Sequence, residues 1–230
     1  MSEHAPRLLA AGRDADIYED GPGLVVRRSR QGRSLAYEAM VMDHVRRAGY
    51  PAPFVHELRA GDTELVMQRL EGPSMAELGF SRPWSIPSLA RTLAGLHRRL
   101  GAIAAPDGLR RLPDGGTTVV HQDLHPLNVM MTAQGPYVID WPNAAAGRPE
   151  TDVASTWVIV RSSDVPGSRL QAAVGRAARQ ALLRPFLRST GLRHEATAML
   201  PSVIAVRLTD RNLTDAERRF LSRWSEALVG

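Results

Sequence analysis

The sequence predicts an α+β chain in which a small antiparallel sheet precedes a mostly helical body, and three observations carry that prediction. Up to about residue 72, apolar and polar residues alternate in short runs separated by Gly, Asp and Pro turns, the pattern of half-buried strands. After Gly72-Pro73 the apolar period lengthens to about 3.6 residues, as in helices that bury one face. Residues 117–141 then return briefly to strands and gather acid, amide and imidazole groups. The expected division is a sheet-rich unit at 1–72 and a helical unit at 73–230, joined as one domain.

The first unit reads as three strands, a helix and a hairpin. Arg7 to Ala11 leads into the turn Gly12-Arg13-Asp14-Ala15; Asp16 to Glu19 follows, and Asp20-Gly21-Pro22-Gly23 turns into Leu24 to Ser29. Alternate strand residues share a face, so Val25 and Arg27 point together and Arg28 points oppositely. Ser34 to Ala48 is a helix with Ser34 as N-cap and a stripe of Leu35, Ala39, Met42 and Val45, stopped by Gly49, Pro51 and Pro53. Glu38 lies beside that stripe. Phe54 to Arg59 and Glu64 to Leu70 form a hairpin around Gly61-Asp62.

In the second unit Ser74-Met75-Ala76-Glu77 is a capping box, and Pro87 to Leu100 sets Leu89, Leu93, Leu96 and Leu100 on one stripe. His97 on that helix reads as structural. A Gly/Pro-rich link, Gly101 to Gly116, leads to the central stretch. Beyond it, Val153 to Val160 is a buried helix, and the capping boxes Ser168-x-x-Gln171 and Thr214-x-x-Glu217 open helices at Arg169 to Arg188 and Asp215 to Val229. Another helix covers Glu195 to Leu208.

The central stretch, TTVVHQDLHPLNVMMTAQGPYVIDW, reads as strand, loop, strand, turn, strand, with Tyr137 to Trp141 the last strand. Asp123 and Asn128 sit in the loop and Asp140 closes the third strand, so a hairpin brings them around one point. That set suits phosphoryl transfer, which needs a carboxylate to orient a hydroxyl and oxygen ligands for Mg²⁺. Singly, each has a simpler reading: Asp140 as a turn former, Asn128 in an Asx turn, Asp152 as a helix N-cap.

HQDLHPLN, followed twelve residues after its asparagine by IDW, resembles the catalytic and metal-binding motifs of the aminoglycoside phosphotransferase and choline kinase-like group, small-molecule kinases that share the protein kinase fold. The resemblance implies a two-lobed fold with a sheet-rich N-lobe and a helical C-lobe. It implies transfer of a γ-phosphoryl group from ATP, with GTP left open as donor, to a hydroxyl of a small molecule. Asp123 is then the catalytic base, Asn128 and Asp140 are the Mg²⁺ ligands, and Asp152 braces the loop. Gly12 marks a turn over the phosphates. Arg27 grips them where the wider fold uses lysine, with Glu38 as its partner. Adenine lies on the backbone near Gln68 and Leu70. For His125, contact with the γ-phosphate and packing of the loop both stay open. The commonest form of this loop carries glycine where this chain has Gln122 and Leu127. The resemblance covers about the first two-thirds of the chain; the helical end, which in such kinases helps form the acceptor pocket, carries no motif.

The residues admit other classes as well. His121, Asp123 and His125 offer a zinc cluster and hence a hydrolase. Arg27 and the glycine-poor first turn suit a pseudokinase that binds nucleotide without turnover. A net charge of +5 and a pI near 10.5 raise nucleic-acid binding. However, all 29 basic residues are arginine and are spread along the chain, aromatics are 5%, and no nucleic-acid signature is present, so a solvated surface is expected.

Apolar content of 43% and charged content of 23% are those of a globular protein. No apolar run approaches the roughly 20 residues that span a bilayer, and MSEHAPRLLAAG is too short and interrupted for a signal peptide. Zero cysteines leave no disulfide framework, which agrees with the expected cytoplasmic location and with no membrane partner.

Overall fold

The computed structural model describes residues 7–163 and 169–229. Strands β1 (Leu8–Ala11), β2 (Ala15–Glu19), β3 (Leu24–Ser29), β4 (Val55–Arg59) and β5 (Glu64–Gln68) form one antiparallel sheet, in the order β1-β2-β3-β5-β4. Helix α1 (Ala36–Arg47) connects β3 to β4 and buries Ala39, Met42 and Val45, the expected stripe, together with Glu38. Its first turn starts one residue later than an N-cap at Ser34 predicts, because Leu35 takes the N-cap position. The Ser34 hydroxyl still accepts the Ala36 N–H at 3.2 Å.

The helices follow. Helix α2 (Met75–Ser81) opens with the predicted capping box, in which Ser74 and Glu77 satisfy each other's backbone N–H. Helix α3 (Ile86–Leu100) buries Leu89, Leu93, Leu96 and Leu100, each of which stabilises the fold by about 1.5–3 kcal/mol through burial. Strands β6 (Thr118–Val120), β7 (Val129–Thr132), β8 (Gly135–Val138) and β9 (Ala145–Gly147) come next, pairing as β6 with β9 and β7 with β8. Then come α4 (Pro149–Ser162), α5 (Arg169–Thr190), α6 (Arg193–Leu208) and α7 (Asp215–Val229). Helix α3 packs on α5, and α4 on α6. The Thr214/Glu217 capping box forms, with bonds of 2.9 and 3.2 Å. Ser168, the first residue of the other box, lies outside the described residues, as do residues 1–6 of the chain start.

One expectation about the central stretch needs correction, and one strand was not expected. The third strand runs Gly135–Val138, so Asp140 lies two residues beyond its end rather than closing it, in the left-handed region at φ 68°. And β6 pairs with β9, a strand of small residues that alternation does not reveal because all three of its residues are buried.

Two features fasten the sheet to the helical body. Gly72 adopts φ 140°, and a Cβ there would lie 2.2 Å from the Met131 carbonyl oxygen; only glycine allows so close an approach. Next to it, Met131 N–H donates to Pro73 O at 2.8 Å. Trp141 is fully buried, edge-on to Tyr50 with centroids 5.7 Å apart, and its Nε1 donates to Val138 O at 3.0 Å. Among the described residues no helix is long and apolar enough to cross a membrane.

Candidate active site

The loop between β6 and β7 carries the charged groups. Gln122 holds a left-handed backbone at φ 68°, which turns the chain sharply after His121 and presents Asp123. Two backbone donors at this corner, His121 N–H and Gln122 N–H, both end on Asp152 Oδ1 of α4, at 3.0 and 2.7 Å. The other oxygen, Asp152 Oδ2, lies 3.2 Å from His97 Nδ1. Thr156 donates to Leu124 O at 2.6 Å and therefore accepts from His97 Nε2 at 3.0 Å. The buried His97 and Asp152 side chains thus brace the loop from behind. His97 is structural, as expected.

Burial pushes the Asp152 carboxyl up, but His97 and the two backbone donors outweigh it, and the group sits below its ordinary value. Burial raises the Asp123 carboxyl, but the hydrogen bond from His125 and the nearby charges of His125 and Arg207 outweigh it, so it too is held down and ionised near neutrality. Asn128 Nδ2 donates to Asp123 Oδ2 at 3.1 Å and to its backbone oxygen at 2.9 Å, which fixes the carboxylate. His125 Nε2 lies 3.4 Å from Asp123 Oδ1 and 3.4 Å from Asn128 Nδ2. Of the two readings left open for His125, the geometry seen is its contact with the loop.

His121 is unavailable as a metal ligand. It is fully buried, and burial pushes its pKa down, which keeps the ring neutral. Nδ1 accepts from Asp123 N–H at 3.3 Å and Nε2 donates to Ile139 O at 3.1 Å, so both nitrogens are engaged. Among the described residues no group of three or more His, Cys, Asp or Glu can hold a metal ion, which removes the zinc cluster of His121, Asp123 and His125.

The second part of the site comes from the sheet. Arg27 Nη2 donates to Asp140 Oδ1 at 3.0 Å, and Arg27 Nε lies 3.2 Å from Glu38 Oε2, close enough to attract though not aligned as a hydrogen bond. Glu38 also accepts from Trp141 N–H at 3.4 Å. Burial raises the Glu38 carboxyl despite Arg27 beside it. Arg27, Glu38 and Asp140 line a cleft of about 410 Å³ that also takes in Gln68 and Leu70. Gln68 N–H and Arg69 N–H are spent on Phe54 O and Gly23 O, at 2.8 and 2.9 Å, whereas the Leu70 backbone has no partner within the described chain. Gly12 does not line this cleft, and its N–H already donates to Ala15 O at 3.0 Å. The expected phosphate-facing donor is therefore consumed by the turn itself.

Ile139 N–H donates to Asn128 O at 3.0 Å, which sets Asp140 one residue from the strand that follows Asn128. A carboxylate and an amide oxygen are hard donors of the kind Mg²⁺ takes alongside phosphates and water, so the two residues fit that ion. On the other side of the loop Asp123 opens on a cavity of about 760 Å³ reaching α4 and α6. Sequence reasoning missed the rest of its wall. Asp114, whose Oδ2 accepts Arg148 N–H at 3.0 Å and Thr151 Oγ1 at 2.6 Å, was signalled only by its Pro-Asp-Gly turn. Arg111 and Arg207 had no local signal.

Comparison with known proteins agrees with this geometry. Residues 102–188 match the model of the phosphotransferase enzyme family. No curated protein matches the sequence. Among solved structures, a choline/ethanolamine kinase family protein from Mesorhizobium loti superposes with a TM-score of 0.63 at 16% identity, covering 99% of this chain and 88% of that one. The streptomycin–ATP–APH(2")-IIa ternary complex gives 0.58 at 14% identity over 88% of this chain and 83% of the other. Amicoumacin kinase hAmiN, in complex with AMP-PNP, Ca²⁺ and Ami, gives 0.56 at 13% identity over 97% and 87%. The resemblance carried by HQDLHPLN and IDW therefore extends to the fold: residues 102–188 match the phosphotransferase enzyme family, and the chain shares the fold of these kinase structures.

Proposed function

We propose that this protein transfers the γ-phosphoryl group of Mg·ATP to a hydroxyl of a small molecule, with residues 1–72 as the nucleotide-side lobe and 73–230 as the acceptor-side lobe. The observation that carries the reading is the position of the loop between two cavities. Asp123 faces the larger one, while Arg27, Glu38 and Asp140 face the cleft that ends at Leu70. The nucleotides bound in the neighbouring kinases support ATP as donor.

In this reading Asp123, ionised and aligned by Asn128 and His125, orients the acceptor hydroxyl and takes its proton. The hydroxyl oxygen bonds to the γ-phosphorus as the bond from phosphorus to the β–γ bridging oxygen breaks, leaving ADP. Arg27 holds phosphate oxygens by its planar fork. Asn128 and Asp140 hold Mg²⁺, which when bound neutralises charge on the phosphates.

A second reading, nucleotide binding without turnover, has one observation in its favour: Arg27 takes up one oxygen of Asp140, the metal ligand. Thermal melting with and without Mg·ATP, beside Asp140→Asn, tests nucleotide and metal together. At 100-fold over Kd, binding adds about 2.7 kcal/mol, or roughly 5–11 °C in Tm. A shift that shrinks in the variant is expected; no shift in either protein would remove ATP as donor. ADP release that depends on an added acceptor rules out the second reading.

A further inference from the structure

The cavity in front of Asp123 has a lopsided supply of polar partners. Its carboxylates other than Asp123 are all committed to the protein. Asp114 Oδ1 accepts Gly116 N–H at 2.8 Å, and its Oδ2 takes Arg148 N–H and Thr151 Oγ1. Asp210 Oδ1 accepts Asn212 N–H at 2.8 Å, and Oδ2 pairs with Arg207 Nη1 at 3.1 Å. Asp123 itself is bonded on both oxygens by Asn128 and His125. A cationic acceptor would find no spare carboxylate here except the base.

The guanidinium groups are in the opposite position. Arg111 lines the cavity and makes no side-chain hydrogen bond or ion pair among the described residues. Arg110 is held by the main-chain oxygens of Pro142 and Ala144, so no carboxylate balances its charge. Arg207 keeps Nε buried without a partner, although Nη1 meets Asp210. Arg148 is paired with Glu150 at 2.6 Å, and Arg207 meets Asp210 through Nη1 alone. The remaining wall is apolar, with Val158 of α4 and Met199 and Val203 of α6.

We propose that the hydroxyl acceptor carries an oxyanion group, a carboxylate or a phosphate, held by Arg111 and Arg207 while its hydroxyl faces Asp123. This rests on the phosphotransferase reading above and names its substrate class. Guanidinium forks match planar carboxylates and phosphate oxygens with parallel hydrogen bonds. Holding the anion at a distance from the base keeps it out of the path of the γ-phosphoryl group, whose charge would repel it.

The test is a matched set of polyols in the presence of Mg·ATP: sorbitol, its amine glucamine, its acid gluconate, and sorbitol phosphate, with glycerol, serinol, glycerate and glycerol phosphate as a smaller series. Binding is followed by calorimetry with Mg·ADP present and turnover by ADP release. An acid or a phosphate member should bind about tenfold or more tightly than its neutral parent, and the amine more weakly still. Which of the two anions wins decides between carboxylate and phosphate. The Arg111→Gln and Arg207→Gln proteins should lose that preference and keep the Mg·ATP melting shift, which also shows that they fold. Preference for the amine, equal binding of all members, binding by none, or preference unchanged in both variants would overturn the proposal. A lost Mg·ATP shift in the unmutated protein would instead strike the phosphotransferase reading itself.

Discussion

Arg27 and Asp140, 113 residues apart in the chain, meet at 3.0 Å, and the same guanidinium lies 3.2 Å from the buried carboxylate of Glu38. One planar fork therefore ties β3, α1 and the turn after β8 together. An ammonium, a point charge with three rotatable donors, offers the two carboxylates no such planar fork.

Replacing Arg27 by methionine leaves Glu38 buried without its cation. Loss of one partner of a buried pair costs about 3–5 kcal/mol, so a fall in Tm of roughly 6–20 °C is expected. In Arg27→Lys the charge survives but the fork does not: the KM for ATP should rise about tenfold with a smaller loss of stability. Calorimetric melting and steady-state kinetics at saturating acceptor check both.

Glu38 itself predicts a pH effect of known sign. Burial holds its folded carboxyl above the ordinary value of 4.5. The native state then binds that proton more tightly than the unfolded chain, so its contribution is present below that value and is lost as pH rises through the raised one. Glu38→Gln removes this group, and its melting temperature should fall less steeply than that of the unmutated protein over that interval.

Asp152 has the opposite sign. Its folded value lies below the ordinary 3.8, so its stabilisation is complete above that pH and disappears as pH falls through the lower folded value. Asp152→Asn should cost about 1–3 kcal/mol near neutrality by weakening the bonds to His121 and Gln122. The gap between the two proteins should close below about pH 4. Melting both across that range is the measurement.

Asp123→Asn leaves the loop hydrogen bonds largely in place but cannot take a proton. The expected result is a fall of about 10²–10⁴ in kcat for acceptor phosphorylation, with the Mg·ATP melting shift unchanged. Activity close to that of the unmutated protein would remove Asp123 as the base.

Gln122 sits at φ 68° with its Nε2 buried and without a partner. Left-handed backbone costs a side-chain-bearing residue about 1–2 kcal/mol, whereas the added freedom of glycine in the unfolded chain returns about 0.4–1 kcal/mol of that gain. Gln122→Gly should therefore raise Tm by a few degrees or leave it level, read by calorimetry. A clear fall would show that the glutamine side chain contributes packing that outweighs the strain.

Much of this chain was legible because its signals are local. The period-two runs before Gly72, the leucine stripe of α3 and the boxes at Ser74 and Thr214 each depend on residues within one or two turns of one another. The order of Asp123, Asn128 and Asp140 was legible for the same reason: a single loop and hairpin carry all three. Strand β9 was not, because its three small buried residues have no alternation to read, and neither was the bond from Gly12 N–H to Ala15 O, because a turn's N–H groups show their partners only in three dimensions.

By itself, then, the sequence determined the α+β class, the change from strands to helices around Gly72-Pro73, and which polar residues share the loop, all set by backbone preference and short-range periodicity. Tertiary structure alone decided which cations meet which carboxylates. Arg27 reaches Asp140 and Glu38, His97 reaches Asp152, and Arg207 of α6 arrives beside Asp123 although more than eighty residues separate them. Such pairings depend on how helices and strands pack, a property of the folded whole that leaves no pattern along the chain.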